Sequence, residues 1–324
     1  VEHKGRVILR RGYGKADPDQ DIDCDENTVF EIASVTKPFT ACGILALVED
    51  GRVDLDKSIS EYLPDVPENR RNITVRHLLS HTSGMGRTAG VAMGFDLATV
   101  VKGTLSPNTV RGPGDSYEYW NQGYALLAGI IENVTEEGYL DFMRRRIFAR
   151  AKLKSTGFTG DDLWPMEQQA VARADGAPLR HAAGHPYGAY GYQYRGMGGI
   201  VTNVDDLWRM GRAALDGELL EKALTREMLE EVSSGYALGW KRHTTRRGTL
   251  QVGHGGDVKG FHTSMDFLPA ENAAIVVVSC VNEIDTRQLA WNIQVRLLEE
   301  GEGAYGAPKI EPIKEQILKG SVGT

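Results

Sequence analysis

The sequence predicts an α/β (α+β) fold: an antiparallel sheet flanked by helices, with an all-helical domain inserted into it. Two observations carry this expectation. Strand-like apolar runs gather at the two ends of the chain, and between them apolar residues recur at helical spacing, punctuated by Gly and Pro. The expected division is residues 1–60 with 196–324 as a discontinuous α/β domain, and 61–195 as the helical insert.

Taken in order, residues 6–14 read as a strand and a glycine-bearing turn, with Val7, Ile8 and Leu9 as the apolar run. A helix is predicted to begin near Ser34, because Phe39, Ile44, Leu45, Leu47 and Val48 share helical spacing and Gly51 supplies a stop. Pro38 fits there because the first turn loses few intrahelical donors. Thr74 is placed to cap a short helix through Leu79, and residues 124–134 and 140–148 supply two more. Thr202 with Asp205 marks the start of a helix over 203–215. Strands are expected at 236–243, 249–253, 261–268 and 273–281, then an amphipathic helix at about 285–300. The Gly-rich tail 301–324 is expected to be loosely held.

The chain has 324 residues, 41% hydrophobic, with 37 basic and 44 acidic side chains and a formal charge of −7. That apolar fraction can fill a core. The negative balance argues against a nucleic-acid partner, whose phosphates call for clustered Lys and Arg. The basic run Arg144, Arg145 and Arg146 reads as a solvated helix face. No apolar run approaches the ~20 residues of a membrane helix, so no membrane association is expected. Cys24, Cys42 and Cys280 make an odd count without metal or redox spacing, which predicts buried, reduced thiols. Val1 to Gly5 show no basic leader or apolar signal segment, which leans towards a cytoplasmic protein.

Three short motifs carry chemistry. Ser34 and Lys37 lie three apart at the mouth of a helix, which brings an amine beside a hydroxyl on one face. A lysine with a depressed pKa can take the serine's proton, and the helix N-terminus favours a developing oxyanion. Alone, such a pair is common on surface helices, where Ser caps and Lys is solvated. Tyr119-Trp120-Asn121 precedes the next long helix; a phenol whose pKa is lowered by an ammonium can relay protons, and the carboxamide can hold the lysine or a substrate amide. Alone, Tyr119 reads equally as a buried tyrosine. His254-Gly255-Gly256 lies between strand-like runs, where glycines let backbone approach a ligand and an edge N–H can meet a carbonyl oxygen; alone it reads as a hairpin turn.

In this order the three motifs resemble those of the class C type serine beta-lactamase and penicillin-binding-protein superfamily, including its family VIII esterases. Segments 30–40, 74–85, 121–134, 198–207 and 254–261 also match in register, so the resemblance covers roughly residues 1–300. It implies a beta-lactamase/transpeptidase-like fold with its site in the cleft between the two domains. It further implies Ser34 as nucleophile, Lys37 as its activating partner and Tyr119 as proton shuttle. Asn121 would position lysine and substrate, and His254, Gly255 and Gly256 would border the substrate. The backbone N–H groups of Ser34 and Asp257 would form the oxyanion hole.

Two departures shape the expected activity. Trp120 stands where a small residue is usual, which predicts a narrowed pocket or a stacking surface. The third motif has neither lysine nor hydroxyl at positions 254 and 255, which removes charge-assisted bonds to a substrate carboxylate; Arg195 and Lys259 are the candidates to replace them. A serine acyl hydrolase acting on a small-molecule ester or amide is therefore favoured over one acting on a lactam. The rivals are an acyltransferase using the same acyl-enzyme, a beta-lactamase or D,D-carboxypeptidase, and an inactive scaffold. Only Val1 to Gly5 precede the first matching strand, so an unfilled face is expected beside the helix at 285–300. His81 is expected to bond backbone at a turn. His181 and His185, four apart, read as loop residues, and neither a metal nor an organic cofactor is expected.

Overall fold

The computed structural model describes residues 1–87, 96–184, 192 and 194–299. His185, most of the Gly- and Pro-punctuated stretch that follows Gly184, and the tail 301–324 lie outside the described residues.

Strands β1 (Glu2–His3) and β2 (Arg6–Val7) open the chain, followed by the short pair β3 (Lys15–Asp17) and β4 (Ile22–Asp23). β5 (Phe30–Glu31) leads through a 3-10 turn at Ala33–Val35 into α1 (Thr36–Glu49). The middle carries α2 (Val75–Leu79), α3 (Leu97–Leu105), α4 (Gln122–Thr135) and α5 (Tyr139–Met143), the last continued by a π-helical turn over Arg144–Phe148. Then come β6 (Gly157–Phe158), β7 (Val171–Ala174), β8 (Ala177–His181), β9 (Ile200–Thr202), α6 (Val204–Leu215) and α7 (Lys222–Leu229). The chain returns to strand with β10 (Lys241–Thr244), β11 (Leu250–Val258), β12 (Phe261–Leu268) and β13 (Ala273–Ser279), and α8 (Thr286–Glu299) closes the described residues.

The main sheet has six strands in the order β10-β11-β12-β13-β1-β2, all antiparallel. It is thus the predicted antiparallel sheet, assembled from both ends of the chain. A second sheet, β5-β9-β6, pairs Glu31 with Val201 and Gly157 with Val201, and holds the chain just ahead of Ser34. The stretch 61–195 is not only helices and loops: β6 and the hairpin β7-β8 lie within it, and His181 is a strand residue. The strand read over 6–14 shrinks to β2, where Val7 is exposed on the sheet edge.

α1 is buried on nearly every side from Thr36 to Leu47. A helix apolar all round belongs in a core, and this one has small residues where neighbours approach. At Gly43 a Cβ would come 3.0 Å from Met143 Sδ. Phe39 meets Phe148 edge-on at 6.0 Å, and burying such a ring contributes roughly 1.5–3 kcal/mol. Thr74 caps α2 through a capping box with His77. α6 is capped by Asn203, one residue after the predicted Thr202, because the Asn203 side chain accepts the Asp206 N–H at 3.0 Å. Arg144, Arg145 and Arg146 do not form a freely solvated row: they pair with Asp161, Glu137 and Asp50. Cys42 and Cys280 are buried and Cys24 is half-buried, all free thiols. Beside α8, Val1 and Ile8 pack against the cluster containing Ile293 and Leu297, while Trp291 stays exposed.

Candidate active site

Ser34 sits in the 3-10 turn between β5 and α1, so its hydroxyl stands at the entrance of a helix with no acidic residue in its first turn. The turn is strained: Ala33 has φ +47, a conformation costing a non-glycine residue roughly 1–2 kcal/mol. Neighbouring bonds hold it there. The Ile32 N–H donates to the Ile200 carbonyl at 3.0 Å, and the Val35 N–H to Ile32 at 3.1 Å.

Lys37, one helical turn on, is 0% exposed. Its Nζ lies 3.1 Å from Ser34 Oγ and donates to Asn121 Oδ1 at 2.8 Å and to the Met197 carbonyl at 3.2 Å. Every one of these neighbours is an uncharged oxygen. Burial therefore drives the lysine well below its ordinary pKa, and the charge of Lys241 pushes the same way. Asn121 is the N-cap residue of α4 but makes no capping bond with its side chain, which is turned to the amine.

The Tyr119 phenol is hydrogen-bonded to Ser34, and its ring centre lies 4.8 Å from Lys37 Nζ. Burial pushes its pKa up, with the Ser34 bond opposing. The phenol lowered by an ammonium that the sequence suggested is not what forms: burial of the hydroxyl outweighs the Ser34 bond, so Tyr119 stays protonated. Ser34, Lys37, Tyr119 and Asn121 are thus brought together in one bonded group.

β11 supplies the opposite wall. A Cβ on Gly256 would lie 2.2 Å from the Ile32 carbonyl oxygen, so only glycine lets this strand approach the Ser34 turn. β10 pairs only with Leu250–Gly253, leaving the outer edge of the strand open beyond. Thr249 accepts from the Thr245 N–H, which makes the odd-numbered residues those that bond outward. By that alternation the Asp257 N–H faces the open edge. The Asp257 carboxylate points elsewhere, to His262 Nδ1 at 2.9 Å and Arg287 Nη2 at 2.6 Å, and is held below the usual carboxylate range by the His262 bond.

His254 is 3% exposed with both ring nitrogens engaged. Nδ1 lies 2.7 Å from the Gly255 carbonyl, which can only accept, so Nδ1 carries the proton and Nε2 accepts from the Tyr236 hydroxyl at 3.0 Å. Burial, with the charge of Lys241 adding repulsion, holds this imidazole neutral. Trp120 is 1% exposed and packed in the main core, so its indole offers the cleft no stacking face. The Trp120 backbone N–H donates to His81 Nδ1 at 3.1 Å, and the His81 ring lies 4.2 Å from that of Tyr119. The predicted backbone bond of His81 is therefore present, and its ring backs the phenol.

Neither candidate replacement cation supplies a free charge beside His254. Arg195 pairs with Glu132 at 2.9 Å, and Lys259 sits in the turn between β11 and β12. Lys241, half-buried on β10 opposite Gly253, is the cation whose field reaches Lys37, His81 and His254. It carries no motif, and a lysine on an edge strand reads as solvated. The Met197 carbonyl was equally hidden, since a backbone oxygen has no residue signature. Among the described residues, no group of three or more His, Cys, Asp or Glu could hold a metal ion, and no helix is long and apolar enough to cross a membrane.

The sequence model of the Beta-lactamase family matches residues 1–298. Protein flp of Staphylococcus aureus strain MW2 is 26% identical over 340 residues, covering 98% of this chain and 66% of that protein, so the chain spans just under two thirds of that relative. Among solved structures, the octameric penicillin-binding protein homologue from Pyrococcus abyssi superposes with a TM-score of 0.79 at 21% identity, covering 97% of this chain and 75% of that one. The D-stereospecific amidohydrolase from Streptomyces sp. gives a TM-score of 0.65 at 26% identity, covering 79% and 83%.

Proposed function

The chain belongs to the beta-lactamase family of serine hydrolases, and from that premise we propose that it hydrolyses a small-molecule carboxylic amide or ester through an acyl-enzyme on Ser34. The observation that carries this reading is the set of partners around Lys37. A neutral amine has two N–H groups and one lone pair. The Asn121 and Met197 oxygens can only accept, so they take the two protons, and the lone pair is left facing the Ser34 hydroxyl.

In this reading Ser34 Oγ attacks the carbonyl carbon as its proton passes to Lys37, and the N–H groups of Ser34 and Asp257 receive the oxyanion. The bond to the leaving group then breaks, with Tyr119 giving its proton to the departing nitrogen or oxygen and recovering one from the Lys37 ammonium. Water repeats the sequence in reverse roles, releasing the acid and restoring Ser34. In this reading the site lies between the α/β part that carries Ser34, Lys37 and Asp257 and the inserted part that carries Tyr119 and Asn121.

Two points favour an amide or ester over a substrate anchored by its carboxylate in the third motif. His254 is neutral with both nitrogens occupied, and Gly255 brings no hydroxyl. The amidohydrolase likeness supports the amide branch. The test is incubation with a small fluorophosphonate or activated ester followed by intact mass. A single adduct that vanishes in Ser34→Ala is expected; no adduct on the wild-type chain would reject the reading.

A further inference from the structure

We propose that Glu31, Arg180 and Tyr194 form a buried clamp that positions the Met197 carbonyl on Lys37, making Glu31 and Tyr194 positioning residues for acylation. This rests on Lys37 acting as the base.

Glu31 is 0% exposed on β5, three residues before the nucleophile. Its carboxylate accepts from Arg180 and, at 2.5 Å, from the Tyr194 hydroxyl. Arg180 is itself buried, its guanidinium 4.9 Å from the Phe261 ring centre and donating to the Gly184 carbonyl at 3.0 Å. An ion pair this far from water contributes little net stability, because desolvation consumes most of the attraction, so stability alone is a poor account of it.

What the pair does is fix the Tyr194 ring. The chain folds back over that ring: the Gly198 N–H donates to the Tyr194 carbonyl at 3.2 Å, and a Cβ on Gly198 would stand 2.5 Å from the ring. Gly199 crosses it with φ +88, where a Cβ would lie 3.2 Å away. Met197 is the residue between this crossing and Gly196, whose carbonyl accepts from the Thr40 hydroxyl at 2.8 Å. The carbonyl that takes one of the amine's two protons is thus pinned on one side by α1 and on the other by Tyr194. Releasing the second pin lets that carbonyl swing, and the amine lone pair loses its fixed aim at Ser34.

The test compares Tyr194→Phe with the wild-type chain. This change deletes one oxygen and leaves the ring over Gly198 and Gly199; Glu31→Gln is read beside it. The expected result is a fall in kcat for an activated ester of about 10-fold, with KM within about twofold, since misplacement of a reacting group costs rate rather than binding. Glu2→Gln is the control. Glu2 is also buried and bonded to Arg212 and Trp208, remote from the site, and its loss should lower the melting temperature while leaving kcat unchanged. Wild-type kcat in Tyr194→Phe, or an equal fall in the Glu2 variant, would overturn the clamp alone. Absence of any Ser34 adduct on the wild-type chain would overturn it together with the function proposed above.

Discussion

Gly256 passes so close to Ser34 that a Cβ on it would stand 3.1 Å from the Ser34 amide nitrogen, besides meeting the Ile32 carbonyl. Its neighbour differs: a Cβ on Gly255 would meet the Arg287 side chain at 3.4 Å, ordinary contact with a flexible group. Gly256→Ala should therefore displace one wall of the oxyanion site and lower acylation by about 100-fold, the scale of losing one oxyanion donor. Gly255→Ala should stay within about threefold of wild type. Rates of adduct formation by stopped mass spectrometry check both, and equal losses at the two positions would contradict the close-approach argument.

Burial does most to lower the Lys37 pKa, and the charge of Lys241 lowers it further. With Lys37 as the proposed base its neutral form is the active one, so kcat/KM should rise with pH through the Lys37 titration, well below the ordinary lysine value, and then level off. The Lys241 cation disfavours the protonated form of Lys37. Removing it in Lys241→Met raises the Lys37 pKa and moves the acid limb to higher pH, and losing the counter-charge to Asp257 acts in the same direction. Lys241→Arg keeps the charge and should keep the profile. A pH–rate profile for the three proteins decides it, the idea failing if Lys241→Met titrates at or below the wild-type pH.

Much of this architecture was legible in the residues because burial and spacing are local signals. β12 falls on the predicted 261–268, where apolar residues alternate with His262 and Ser264, and α6 differs from its predicted span by a single residue. Ser34 and Lys37 meet because a helical turn brings positions three apart together. The β6 strand and the β7-β8 hairpin escaped notice, since two- to five-residue strands in a Gly-punctuated region show too little alternation. Trp120 misled for a different reason: a large ring beside Tyr119 suggests a pocket wall, but alternation along the chain turns it into the core.

Tyr119 is expected to serve as an acid rather than as a phenolate, because burial raises its pKa. Tyr119→Phe keeps the ring that packs on His81 and removes only the hydroxyl. Acylation by an amide should fall by 100-fold or more, roughly the range for losing a general acid–base group. An ester with a good leaving group, needing no proton, should suffer less. Equal losses for the amide and the activated ester would argue against proton donation by this phenol.

Lys37 also makes a prediction about stability. A lysine whose folded pKa is depressed binds fewer protons in the native state than in the unfolded chain, so its stability contribution falls as pH drops below the unfolded value near 10.5 and keeps falling towards the folded value. Between the folded and unfolded values the native state holds a buried amine deprotonated while the unfolded chain carries the ammonium freely. Lys37→Met fills the same volume without that penalty. It should abolish the Ser34 adduct yet raise the melting temperature, with a larger gain at pH 7 than at pH 10. The buried, neutral His81 and His254 are present in both proteins, so their own titration cancels in the comparison. Melting curves at the two pH values test this, and a variant that loses stability equally at both would show that the amine is not held neutral in the fold.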